Sequence, residues 1–162
     1  MARLHMNKFQ HKLNKVLEIF LVILMSVLVI DVLWQVFSRY LLSSPSSFTD
    51  ELAGFLLIWV GVLGAAYVAG RKEHLAIDIL IQRSPPARQK LLLYIIHSLI
   101  LLFALSVMVT GGVVLMYTRF VLQVKSAALQ LPLGYVYIVL PISGLIIMYY
   151  EVLHIINLKK SS

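Results

Sequence analysis

Four long apolar runs alternate with short polar stretches along the chain. The run at residues 52–69 is the most informative. About 18 residues there carry no charge, roughly 27 Å at helical rise, which is enough to cross a hydrocarbon core. Phe48, Thr49, Asp50 and Glu51 precede it, and Arg71 and Lys72 follow it. Thr49 suits an N-cap, acids suit a first turn and cations a last turn, so the pattern predicts a helix over about 50–70 whose direction is set by its ends. The other runs predict spans over about 16–38, 85–118 and 133–156. Ahead of the first, Leu4, Met6, Phe9 and Leu13 tend to one side and Lys8, Lys12 and Lys15 to the other. That pattern predicts an amphipathic interfacial helix over about 4–15. Residues 1–162 therefore read as a single all-α integral membrane domain of four transmembrane helices.

Within the second run, Gly54, Gly61, Ala65 and Ala69 share a face, which lets another helix backbone come close. Trp59 lies near mid-depth, away from the headgroup belts that lipid-facing tryptophans prefer, and is expected to be buried against protein. Ser84 and Pro85 mark the start of the third helix, which is longer than a bilayer needs. Ser106, Thr110, Gly111 and Gly112 predict close packing in its far half. Pro141 and Gly144 predict a kink in the fourth helix. In the connector after helix 2, Leu75, Ile77, Ile79 and Ile81 alternate with other residues. A half-immersed interfacial segment is expected there, because an open strand edge would leave backbone groups unsatisfied in lipid.

Composition agrees with the pattern: 60% of the 162 residues are hydrophobic, far more than a water-soluble domain can use. The net charge of +7 does not gather into one basic face, so nucleic acid is not an expected partner. Eleven of the fourteen Lys and Arg residues fall in the N-terminal stretch, the connector after helix 2 and the C-terminus. This asymmetry places both termini in the cytoplasm and predicts contact with anionic phospholipid along the inner rim. The basic start resembles a signal peptide, but no alanine lies between Ala2 and Ala53 to build a cleavage site, so the first run is read as a span. Without cysteine there is no disulfide framework and no thiolate chemistry.

Candidate chemistry is sparse. The chain has no phosphate-binding loop, no H-E-x-x-H and no G-x-S-x-G, so it is not expected to be an enzyme. Asp31 lies deep in the first span, where a carboxylate costs about 2.5–3.5 kcal/mol on insertion scales and needs a partner or a polar cavity. It is read first as a hydrogen-bonded contact joining helix 1 to another helix, with no second acid at comparable depth. The alternative makes Asp31 or Glu18 the coupling carboxylate of a small self-contained proton-coupled transporter acting as a homodimer. No internal repeat supports that alternative. His97 and His154 fall at similar depth on the third and fourth helices. Two such histidines can hold a haem iron axially, as in a b-type haem membrane anchor. The plainer reading is two interfacial polar residues near helix ends, and no cofactor is expected.

The order Arg39-Tyr40, a short loop, Asp50-Glu51, Trp59, Gly64-Ala65-Ala66 and His74-x-x-x-Asp78 resembles the four-helix, Q-type small membrane subunit of TRAP (tripartite ATP-independent periplasmic) transporters. Ala128-Leu129-Gln130-Leu131-Pro132, Tyr137 and Pro141 are similar to that family's entry to its last helix. Phe48 stands where the family usually has Trp, and Asp50 where it usually has Glu; both keep the chemical type. The resemblance implies a multi-pass protein of the bacterial inner membrane that scaffolds a large, elevator-type subunit. That large subunit carries the substrate and sodium sites. A periplasmic substrate-binding protein delivers a carboxylate such as a C4-dicarboxylate, a sialic acid or another sugar acid. On this basis Arg39, Asp50, Glu51, Trp59, Gly61, Ala65, His74 and Asp78 are candidates for the subunit interface. Arg39 is expected to meet Asp50 and Glu51 at the outer surface, and His74 to meet Asp78 at the inner end of helix 2.

Overall fold

The computed structural model describes residues 8–41, 47–71 and 85–160. Helix α1 is Lys8–Tyr40 and α2 is Ser47–Arg71. A third rod is built from α3 (Pro86–Phe103), a π-helical segment (Ala104–Gly111) and α4 (Gly112–Val121). A fourth consists of α5 (Leu133–Tyr137) and α6 (Val139–Lys160). Four helical stretches are long and apolar enough to cross a membrane: Lys8–Tyr40, Ser47–Arg71, Arg88–Val121 and Leu133–Lys159. The fold is thus all-α, and among the described residues the only β pairing is an isolated bridge between Lys125 and Pro132.

Local sequence explains the punctuation. Pro85 is extended and Pro86 opens α3, where its missing N–H costs nothing. Pro141 has no N–H to offer the carbonyl four residues back, and the fourth rod is interrupted at Ile138, between α5 and α6. Residues 8–15 run without a break into the first span, so the boundary expected near residue 15 is absent. In the π-helical segment the Thr110 hydroxyl donates to the carbonyl of Leu105, five residues back.

The core lies where α2 meets α6. One cluster gathers Leu17, Leu63, Val139 and Tyr150, with Trp59 packed against it. A second gathers Ala66, Ala69, Ala104 and Ile147. Close approach is concentrated between the third and fourth rods. A Cβ on Gly112 would stand 2.9 Å from Pro141 Cδ, and one on Gly144 would stand 2.8 Å from Met108 Cβ. Gly144 is therefore a contact point for the third rod. Ser106, Thr110 and Gly111, expected to pack, are exposed, and Gly112 alone of that group is buried. In α2 the small-residue face divides in the same way. Ala69 is buried, whereas Gly54, Gly61 and Ala65 are uncovered, and a Cβ on Gly54 or Gly61 would meet nothing within 4 Å.

Candidate functional site

The four rods run back and forth, so the bundle has one end that carries the chain termini and one that carries Arg39, Asp50 and the 122–132 loop. At the loop end everything turns on Glu51, in the first turns of α2. Its Oε1 accepts the N–H of Ala127 at 2.8 Å. Its Oε2 accepts those of Ala128 and Leu129 at 3.0 and 2.8 Å. Three successive backbone N–H groups converge on one carboxylate because the loop is folded back on itself. Ser126 N–H donates to the Leu131 carbonyl, Leu131 N–H to Ser126 Oγ, and Leu133 N–H to the Val124 carbonyl. Gln130 sits at φ 55°, the left-handed region that lets the chain turn so tightly, and its side-chain amide donates to the Ala127 carbonyl. Ala127 and Ala128 carry side chains small enough for the Glu51 carboxylate to come close. With both oxygens engaged, Glu51 is a structural post joining α2 to the loop that precedes the fourth rod.

Two further contacts brace this end. Trp59 Nε1 donates to the Val136 carbonyl at 3.0 Å, beside the interruption in the fourth rod. The expectation that Trp59 packs on protein therefore takes a specific form: a half-buried indole against this chain's own helix. Gln35 donates to Asp50 Oδ1, tying α1 to α2. Arg39 is exposed and joins neither the Asp50 nor the Glu51 contact. The expected meeting of Arg39 with the acidic pair is replaced by an amide on one acid and backbone N–H groups on the other. Asp31 is buried, and its Oδ2 has no hydrogen-bond partner, so the interhelical bond expected of it is not made through that oxygen. His74 and Asp78 lie outside the described residues.

At the termini end, α3 and α6 bring together a cluster that sequence reasoning saw only in part. His97 Nδ1 and Glu151 Oε2 are 2.5 Å apart. The His97 and His154 rings are in contact, with centroids 5.1 Å apart. His97, Glu151 and His154 are all buried, Glu151 completely. Glu151, absent from the sequence reading, is thus a second buried acid in addition to Asp31. The signal was present: Glu151 and His154 are three residues apart, hence on one face of a helix, and that face also carries the buried Tyr150 and Ile147. A haem between the two histidines does not fit either. Axial imidazoles stand on opposite faces of the macrocycle, and rings in direct contact leave no room for one.

Nearby, the Tyr150 hydroxyl donates to Asn14 Oδ1, linking α6 to the start of α1 over Gly70. A cavity of about 740 Å³ opens beside this link, lined by residues that include Lys15, Glu18, Arg71 and His154.

The chain is similar to proteins of one family. Residues 28–160 match the family described as tripartite ATP-independent periplasmic transporters, DctQ component. A Haemophilus influenzae protein, named provisionally as a TRAP transporter small permease protein, is 28% identical over 144 residues, covering 88% of this chain and 86% of the relative. The Vibrio cholerae sialic acid TRAP transporter small permease protein SiaQ is 28% identical over 152 residues, 91% of this chain and 84% of the relative. A shorter stretch of 56 residues, 35% of this chain, is 36% identical to 9% of the Haemophilus influenzae sialic acid TRAP transporter permease protein SiaT. An all-α bundle of four membrane-length helices, matched along most of its length, belongs to the DctQ-component family and is the small permease subunit of a TRAP transporter.

Proposed function

We propose that this subunit scaffolds a large, elevator-type membrane subunit during ion-coupled uptake, with sodium as the coupling ion, of a carboxylate delivered by a periplasmic binding protein. The carboxylate is of the class of C4-dicarboxylates, sialic acids or other sugar acids. The observation that carries this reading is the uncovered face of α2. Leu57 is 62% exposed, and Gly61 and Ala65 beside it are open to approach. Small residues facing lipid alone add little packing, whereas a partner helix gains close van der Waals contact there. In this assignment Gly61 and Ala65 are the docking face, and Arg39 stands at its outer end; His74 and Asp78 remain interface candidates from the sequence alone. Glu51, Asp50 and Trp59 act from inside the subunit, by holding the loop and the fourth rod in place so that the outer surface keeps its shape.

Sialic acid is supported as the first substrate to try, because the names of two relatives carry it. A long permease with a segment similar to this chain fits small and large parts working side by side. The reading also places both termini on the cytoplasmic side of the inner membrane, with phospholipid along the basic rim.

The test is co-purification from native membranes in mild detergent, followed by reconstitution. A stoichiometric, larger multi-span partner with its own transport path is expected. Sodium-driven sialic acid uptake into vesicles should require both subunits and the binding protein. A Gly61→Leu, Ala65→Leu double variant should stay helical yet lose the partner. Recovery of the chain alone as a homodimer that transports unaided would overturn the scaffold role.

A further inference from the structure

The buried cluster at the termini end holds more than helix packing requires. Glu151 is fully buried; one of its oxygens meets His97 Nδ1, and the other, Oε1, has no partner. A carboxylate withdrawn from water needs compensating positive charge or a proton, and all its lone pairs need donors. One ligand atom each from His97, Glu151 and His154 can be chosen so that all lie within 4.8 Å of one another. Glu151 and His154 have the Glu-x-x-His spacing that projects a carboxylate and an imidazole from one helix into the core of a bundle, the arrangement by which helical metal sites are built. His97 faces them from the opposing rod.

We propose that His97, Glu151 and His154 form a binding site for a divalent transition-metal ion, with zinc as the best match. The ion would staple the third rod to the fourth at the termini end. Two imidazole nitrogens and one carboxylate oxygen are a ligand set suited to zinc. A fourth position is left for water, and imidazole ligands disfavour magnesium and calcium. In a tetrahedral site with bonds of about 2.0–2.1 Å, ligand atoms stand about 3.3 Å apart. The His97–Glu151 contact would therefore open by less than about 1 Å, and the widest gap would close by no more than about 1.5 Å. Small side-chain rotations span both changes. The ion has a way in, because His154 also lines the cavity of about 740 Å³ beside α1 and α2. Lys15 and Arg71 line that cavity too, so entry is not electrostatically steered, and affinity must come from the three ligands themselves.

The test uses the full chain, purified in mild detergent with a tag free of histidine, stripped with chelator and titrated with Co²⁺ and then Zn²⁺. The visible bands of tetrahedral Co²⁺ should appear at one ion per chain, disappear with one equivalent of Zn²⁺, and resist a large excess of Mg²⁺. They should survive the His5→Ala, His11→Ala double variant. His97→Gln and Glu151→Gln, which keep a hydrogen-bonding group in place, should weaken binding by more than about 100-fold, beyond the loss that outer-shell changes cause. The wild-type chain alone can overturn the site. Absence of the tetrahedral bands, or bands lost with His5 and His11, would leave the cluster as a hydrogen-bonded link. Bands unchanged in a helical Glu151→Gln chain would do the same.

Discussion

Glu51 and Glu151 sit at opposite ends of the same bundle and are treated in opposite ways. Glu51 is half-buried, and three backbone N–H groups engage both its oxygens. Glu151 is wholly buried, yet one histidine meets one oxygen and the other is left without a donor. A carboxylate with both oxygens engaged by backbone N–H groups holds its donors in place. A buried carboxylate oxygen without a donor carries a desolvation cost that a bound cation would offset. The loop end is thus joined through both oxygens of its acid, and the termini end through one.

Removing Glu51 should have the largest consequence. Glu51→Ala leaves the N–H groups of Ala127, Ala128 and Leu129 without their acceptor, and hydrogen bonds to a charged group are the stronger kind. Amide exchange at those three positions should quicken by roughly one to two orders of magnitude, and the thermal transition should fall by several degrees. Exchange at the termini end should stay as it was. A change that spreads to His97 and His154 would show that the two ends are not independent joints.

A second substitution tests whether the middle of the bundle couples them. Gly144→Ala puts a Cβ 2.8 Å from Met108 Cβ and 2.9 Å from Val109 Cγ2, against side chains rooted in the π-helical segment. Such overpacking costs about 1–3 kcal/mol and should lower stability in the subunit alone. Gly61→Ala meets nothing within 4 Å and should leave the isolated subunit unchanged, so the pair separates internal packing from partner packing. Trp59→Phe removes the 3.0 Å bond to the Val136 carbonyl while keeping most of the ring's bulk. The expected loss is about 1 kcal/mol, read in an unfolding titration of the subunit.

The four spans were legible because uncharged runs of membrane length admit few other solutions, and the resemblance supplied the family. The polar joints were much less legible. Acids at the start of α2 read as first-turn charges or as partners for Arg39, because proximity along the chain is visible and a loop 76 residues away is not. The N–H groups that hold Glu51 are backbone atoms, which no residue type advertises. Only Ala127 and Ala128, small and placed ahead of Pro132, hinted at a close approach. At the other end, His97 and His154 could be matched in depth, but Glu151 entered no constellation read from the sequence. Its three-residue spacing from His154 was the missed sign. The small-residue face of α2 was visible in the sequence, yet its division into a buried part at Ala69 and an open part at Gly61 and Ala65 depends on where α6 lies.

The smallest effect is expected at Glu151, and it sharpens the comparison most. In the metal-free chain, Glu151→Gln replaces the buried carboxyl group by an amide of the same shape that can still bond His97. The amide can keep the bond to His97, so the substitution need not leave that buried partner orphaned. Stability should therefore stay within about 1 kcal/mol of the parent, in contrast to the damage at Glu51. Adding Zn²⁺ should then raise the thermal transition of the parent and leave that of the variant where it was, since a ligand stabilises only the state that binds it. A large loss in the metal-free variant would mean that Glu151, like Glu51, is already a completed joint, and the contrast between the two ends would collapse.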